Sequence, residues 1–326
     1  MKIAYVSRTV HSGVPERMAM AVNQYTTHSA QALVSGTWVD GKRDFGDREC
    51  CPSEVLWNVN DPDQRDEVLE SADVIHAMYN TSIHDLGRPD LARKKFCVWH
   101  LATKWNDGFL RLFPEGTDGV LPIMSAEGWD RYGTGPWERM QQMPVVFLID
   151  HPAMQPLPFA RRTRHASMSI RVKLDTTDDG RPIAAPRSSK KVAEALRGLK
   201  FRRLHGLDWQ DCMRRKAQAW VGIDDVVNPL VHQSGFEYLA LGVPCLNRYD
   251  DHLWGIISGT YGFILPPFCA VDFSNLRRLA DEYISSSDES WRGFSALFSR
   301  YMQTHAHPRE TIARYIALYE GARVPS

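Results

Sequence analysis

Short apolar, β-branched runs set apart by helix-length segments constrain this chain more than any other feature. Such runs stand at 3–6, 32–34, 55–59, 74–77, 97–101, 120–124 and 145–149. Strands that alternate with helices are joined by crossovers and lie parallel to their neighbours, which predicts βαβ units and not a sandwich or barrel of hairpins. A first α/β domain is thus expected over 1–157. Residues 151–165, HPAMQPLPFARRTRH, then bring three prolines and Arg161, Arg162 and Arg164 into a stretch without periodicity, which reads as a linker. The alternation restarts beyond it. Strands are expected at 183–185, 202–204, 220–223, 244–246 and 262–265, with helices near 188–199, 208–218 and 234–242. Residues 274–321 read as helical, the last helix packing back on the first domain. The expectation is two Rossmann-like halves, 1–157 and 158–326, facing a cleft. A chain of 326 residues is longer than one hydrophobic core usually fills, which agrees with two domains.

Charge narrows the function classes. Lys and Arg total 39 against 39 Asp and Glu, so the chain is neither a basic nucleic-acid coat nor an acidic tail protein. Six cysteines at 50, 51, 97, 212, 245 and 269 offer no CxxC pair, which reads as reduced thiols in a cytoplasmic protein. The opening apolar run is too short for a signal peptide, and no run of eighteen apolar residues occurs, so integral membrane association is not expected.

The strongest local signal is HQSGFEYLALGVPCLN at 232–247. It reads as a loop with Gly235, a short helix with Glu237 in its first turn, a stop at Gly242 and Pro244 entering a strand. A carboxylate there is favoured by the helix dipole and sits at the carboxyl edge of a parallel sheet, where α/β proteins bind ligands. IAAPRSSKK at 183–191 is a strand-to-helix turn carrying Arg187, Lys190 and Lys191, and a helix start with added cations suits an anion. Near the N-terminus, Gly13 precedes a helix opened by Pro15 and Glu16. Asp61-Pro62-Asp63 has the DxD spacing of some metal sites, but with Gln64 it makes a complete helix-capping sequence, so no catalytic metal is expected.

EYLALGVP resembles the E-A-M-A-x-G-x-P segment of GT-B glycosyltransferases, especially the retaining family 4 (group 1). The resemblance implies that Glu237 holds the ribose of a nucleotide-sugar donor, a UDP-sugar in the first instance. KFRRLHGLDWQDCMRRKAQAWVGIDD resembles the preceding strand, turn and helix, which implies that His205, Gly206 and Leu207 lie beside the nucleobase. IAAPRSSKK resembles the turn in which Arg187 with Lys190 or Lys191 grips the diphosphate. KIAYVSRTVHSGVPERMAMAVNQ resembles the opening strand and loop, placing Gly13 at the donor. SADVIHAMYN and KFCVWHLATKW resemble paired strands ending in histidine, which implies that His100 faces the transferred sugar and His76 lies near the acceptor. The family's usual first glutamate falls on Pro229, so Asp224, Asp225 and His232 become candidates to reach the sugar. The implied reaction is metal-independent glycosyl transfer with retention, needing no cofactor beyond the donor.

The acceptor has two readings. Basic clusters at 161, 200 and 213 and tryptophans such as Trp99, Trp105, Trp129 and Trp137 suit a glycan or an extruded hydroxymethylated base of DNA, as in bacteriophage DNA glucosylation. Tryptophans that fill the core and cations that cover helices account better for most of these residues. A nucleotide-sugar epimerase and an inactive sugar-nucleotide binding module are the alternative functions.

Overall fold

The computed structural model describes residues 1–7, 13–34, 56–78, 81, 83, 86–101, 120–127, 140–169, 189–205 and 207–321. Two compact units emerge, one formed by Met1–Leu148 with His307–Ser326 and the other by Ile149–Ala306.

The first unit is built on a seven-stranded parallel sheet of order β3-β2-β1-β4-β5-β6-β7. Its strands are β1 (Lys2–Ser7), β2 (Ser29–Val34), β3 (Leu56–Asn58), β4 (Val74–Met78), β5 (Phe96–Leu101), β6 (Val120–Ser125) and β7 (Gln141–Met143). Strand order reverses at β1, so β1 and β4 flank the switch point whose carboxyl side is the ligand edge of such sheets. Alternating side chains sort onto two faces. Tyr5, Met78, Val98 and Ile123 pack with helix α1 (Val14–Tyr25), whereas Ala4, Val6, Ile75 and Cys97 pack with Val68 and Leu69 of helix α2 (Pro62–Ser71). Gly13 caps α1 at φ 69°, in the left-handed region where a Cβ is penalised. Asp61 caps α2 by accepting from the backbone N–H groups of Asp63 at 3.1 Å and Gln64 at 3.2 Å. The Gln64 amide answers by donating to the Asp61 carboxylate at 2.9 Å. Capping thus engages the Asp61 carboxylate.

The second unit carries a five-stranded parallel sheet of order β12-β11-β10-β8-β9. In chain order come β8 (Ala166–Ser169), α3 (Ser189–Ala195), β9 (Phe201–Leu204), α4 (Trp209–Ala217), β10 (Val221–Ile223), α5 (Gln233–Ala240), β11 (Cys245–Asn247), α6 (Asp251–Tyr261) and β12 (Cys269–Ala270). Helices α7 (Leu276–Ser285) and α8 (Asp288–His305) follow. The switch point lies between β8 and β10. Gly222 on β10 is a close approach: a Cβ there would lie 2.4 Å from the Tyr238 ring, so glycine lets α5 settle onto the sheet. Helix α9 (Pro308–Gly321) then returns to the first unit, where Ile312, Tyr315, Ile316 and Tyr319 join the core beside α1.

Three expectations need correction. Residues 145–149 form no strand; the edge strand is Gln141–Met143, and Pro144, lacking an N–H, ends it. The apolar run beyond is a buried connection, which periodicity alone does not separate from a buried strand. Residues 262–265 are not a strand either, because Gly262 at φ 72° is the left-handed cap of α6 and Ile264 and Leu265 are exposed. Strand β8 begins directly after the expected linker where no strand was expected, because ASMS contains no apolar run. The expected strand at 183–185 lies outside the described residues.

Candidate active site

In the second unit, polar side chains gather at the carboxyl ends of β10 and β11. Asp224 and Asp225 follow β10 directly, and both are buried. Asp225 accepts from the backbone N–H groups of Val227 at 2.7 Å and Asn228 at 3.0 Å, and faces His232 Nε2 at 3.3 Å. Asp224 accepts from the His232 N–H at 2.8 Å, at the start of α5. Asn247, the last residue of β11, closes the turn by accepting from the Asp225 N–H at 3.0 Å and donating to the Leu230 carbonyl at 2.9 Å. Residues 224–232, Pro229 among them, are therefore held by carboxylates and an amide where a parallel sheet presents ligands. Gly235 fits the same turn, since a Cβ there would come within 2.9 Å of the Asp224 carboxylate.

Glu237 lies in the second turn of α5 and not in the first as expected, since the helix begins at Gln233, and no acidic residue occupies the first turn. The helix dipole is weaker at that position. Its main partner is Lys216 of α4, whose Nζ pairs with Glu237 Oε2, donates to Ser234 Oγ at 3.1 Å and lies 4.9 Å from the centre of the Tyr238 ring. Lys216 and Glu237 are both buried. A charge so placed persists only when paired, so the two side chains hold α4 against α5.

Among the other donor-side candidates, Lys190 and Lys191 are exposed in the first turn of α3, and His205 and Leu207 are exposed just after β9. Arg187, Gly206 and Trp105 lie outside the described residues, as do Trp129 and Trp137.

In the first unit His76 and His100 are buried on adjacent strands. His76 Nε2 stands 3.2 Å from His100 Nδ1. His100 Nε2 meets Ser125 Oγ at 2.8 Å, and His76 Nδ1 meets the Tyr319 hydroxyl at 2.6 Å. Burial pulls the His100 pKa down to about 3 and that of His76 well below the usual imidazole value, so both rings are neutral. Trp99 is core.

The basic clusters are engaged in different ways. Arg162 is buried over the Trp291 ring and donates to the Leu241 carbonyl, Arg164 covers Trp220 and pairs with Asp288, and Arg214 pairs with Asp211. Lys200, Arg202 and Arg203, by contrast, are exposed along edge strand β9 with no ion pair among the described residues. A cavity of about 270 Å³ lies elsewhere, at the amino ends of β1 and β2 by Lys2, Ser29 and Trp57. That is the edge opposite the one α/β sheets use for ligands.

No protein-family model matches the chain, and a search of curated proteins returns no match. Solved structures do match. An alpha-glucosyltransferase in complex with UDP and a 13-mer DNA containing a central A:G mismatch superposes with a TM-score of 0.62 at 7% identity, covering 98% of each chain. A glycosyltransferase from Rickettsia africae ESF-5 superposes at 0.62 and 11% identity, over 100% of this chain and 99% of that one. UDP-GlcNAc 2-epimerase from Neisseria meningitidis bound to UDP-GlcNAc follows at 0.50 and 10% identity, over 98% of this chain and 100% of that one.

The fold is GT-B.

Within this GT-B chain, reading the sequence missed three side chains that organise the candidate residues: Lys216 beneath Glu237, Ser125 against His100 and Tyr319 against His76. Lys216 was visible only as part of a basic run. Tyr319 lies 243 residues from His76, beyond the reach of any local pattern. Ser125 had a signal in the alternation of β6, since it shares a sheet face with Ile123. No described group of three metal-ligating side chains occurs, and no described helix is long and apolar enough to cross a membrane.

Proposed function

We propose that the chain is a glycosyltransferase that moves a sugar from a UDP-sugar to an acceptor hydroxyl, without a metal and with retention. The observation that carries this reading is the buried carboxylate of Glu237 on the helix that follows β10, paired with Lys216, in a chain whose GT-B fold extends over its whole length. Glu237 accepts from the ribose hydroxyls, and Lys216 is its buried ion-pair partner. Arg187, Lys190 and Lys191 meet the charge that grows on the departing diphosphate, where electrostatic stabilisation contributes most to such a reaction. His205, Gly206 and Leu207 flank the base, Gly13 approaches the donor, and Asp224, Asp225 and His232 replace the glutamate absent at 229 in reaching the sugar. His100 faces that sugar.

For the acceptor, Lys200, Arg202 and Arg203 favour a polyanion, and the DNA held by the structurally similar alpha-glucosyltransferase supports a hydroxymethylated base over a neutral glycan. His76 and Trp105 are the acceptor-side residues. An epimerase is the second reading, favoured by the UDP-GlcNAc 2-epimerase among the similar structures. Thermal unfolding with a panel of nucleotide sugars tests the donor: a donor at a hundredfold its Kd stabilises by about 2.7 kcal/mol, and no stabilisation by any of them refutes the proposal. Incubation with donor alone separates the two readings, because an epimerase consumes it without acceptor. Glu237→Gln keeps the side-chain shape and removes its charge, so donor affinity is expected to fall by about tenfold. Unchanged affinity refutes the ribose role.

A further inference from the structure

Five side chains form one hydrogen-bonded line through the core of the first unit. Tyr5 and His76 are paired in register on β1 and β4, and His100 is in register with Met78, two residues beyond His76. Ser125 lies two residues beyond Ile123, the partner of His100. A step of two keeps a side chain on the same face, so Tyr5, His76, His100 and Ser125 climb one face of the sheet toward its carboxyl edge. Tyr319 of α9 joins from above. The contacts run Tyr5 OH to Tyr319 OH at 3.3 Å, Tyr319 OH to His76 Nδ1 at 2.6 Å, His76 Nε2 to His100 Nδ1 at 3.2 Å and His100 Nε2 to Ser125 Oγ at 2.8 Å. All five side chains are buried.

We propose that Tyr319, His76 and Ser125 are positioning residues that set the tautomer of His100 through a line of hydrogen bonds with a single direction; this rests on His100 being the sugar-facing histidine. A neutral imidazole has one N–H and one bare nitrogen. If His76 carries its proton on Nε2 it donates to His100 Nδ1, which places the His100 proton on Nε2, facing Ser125. If His76 carries its proton on Nδ1, its bare Nε2 demands a proton on His100 Nδ1. The mixed states set two N–H groups, or two lone pairs, against each other. The two rings therefore share one tautomer, and reversing one bond reverses the line. The Tyr319 end selects the direction: a phenol is a better donor than an aliphatic hydroxyl, imidazole nitrogen is a strong acceptor, and their contact is the shortest of the four. The order is Tyr5 to Tyr319 to His76 to His100 to Ser125, with both rings protonated on Nε2. A helix distant in sequence thus determines which nitrogen of the sugar-facing histidine bears the proton.

Two-bond ¹⁵N–¹H NMR of the histidine side chains in the full chain reads the tautomers directly. Both buried rings are expected as the Nε2–H form. In Tyr319→Phe the donor to His76 is gone, and the His100 signals are expected to move toward the other tautomer although Tyr319 does not bond to His100. Tyr315→Phe is the control, since its buried hydroxyl on the same helix donates to the Pro144 carbonyl at 2.8 Å. It should leave both rings unchanged. Wild-type rings in opposite tautomers, or a His100 spectrum unaffected by Tyr319→Phe, overturn the relay. In turnover, Tyr319→Phe is expected to lower kcat by roughly tenfold with donor KM unchanged, while Tyr315→Phe keeps both. A kcat preserved in Tyr319→Phe despite shifted tautomers overturns the positioning role. The proposed function fails separately, by the absence of nucleotide-sugar binding with the tautomer coupling intact.

Discussion

At the scale of single residues, Glu237 shows how a pattern in sequence identifies a side chain without its surroundings. The helix and its stop at Gly242 were readable from EYLALG, and the dipole argument for the carboxylate followed from them. What neutralises that carboxylate comes from another helix, 21 residues earlier. Removing one member of a buried pair leaves a charge without its partner, so Lys216→Met is expected to destabilise by about 3 kcal/mol or more in urea unfolding. Lys216→Met with Glu237→Leu should recover much of that loss. If the double variant is as unstable as the sum of the singles, the pair is not the unit that holds α4 and α5 together. Donor binding by Glu237→Ala mixes this folding cost with any lost contact; Glu237→Gln keeps the side-chain shape but also leaves Lys216 without its countercharge, so its donor affinity is to be read beside its urea unfolding.

Elements were legible where an apolar run spans most of a strand and obscure where a buried segment is not a strand. Six expected strands of the first unit coincide with β1 to β6 to within a few residues, because each carries a short apolar run. The run at 145–149 failed because burial and pairing are different properties: the side chains are inside, yet Pro144 interrupts the ladder. The polar ASMS strand failed in the opposite sense, since Ser167 is buried in the centre of a sheet with its hydroxyl bonded to Tyr238 at 2.9 Å. Contact between Tyr238 and Gly222 gives a test at this scale. Gly222→Ala forces a methyl into the ring and should destabilise by roughly 1–3 kcal/mol. A neutral substitution would mean that α5 can lift from β10 without loss.

For the whole molecule, the consequential charges are those the fold suppresses. His76 and His100 are held neutral by burial, with folded pKa values below their unfolded value near 6.5. The unfolded chain therefore binds more protons than the native one at acid pH. Stability from these two groups is complete above about pH 6.5 and declines as the pH falls below it, continuing toward the folded value of about 3 for His100. Thermal unfolding between pH 7 and pH 5 should show this as a falling Tm, less steep in His76→Phe once its own stability offset is subtracted. Equal slopes would show that burial of His76 does not drive the acid response. The domain alternation was legible at this scale. The return of α9 was expected as a helix packing back, but the tyrosines that bind it to the sheet were not foreseen.

That return also bears on how the protein is made. The first unit opens with β1, yet Ile312, Tyr315 and Tyr319, which complete its core, lie after the second unit in the chain. A ribosome must therefore synthesise the entire second unit before the first can close. Throughout that interval the seam beside α1 is left for chaperones to cover, and a message broken within the 14 codons of α9 would yield a chain with one finished half and one open half.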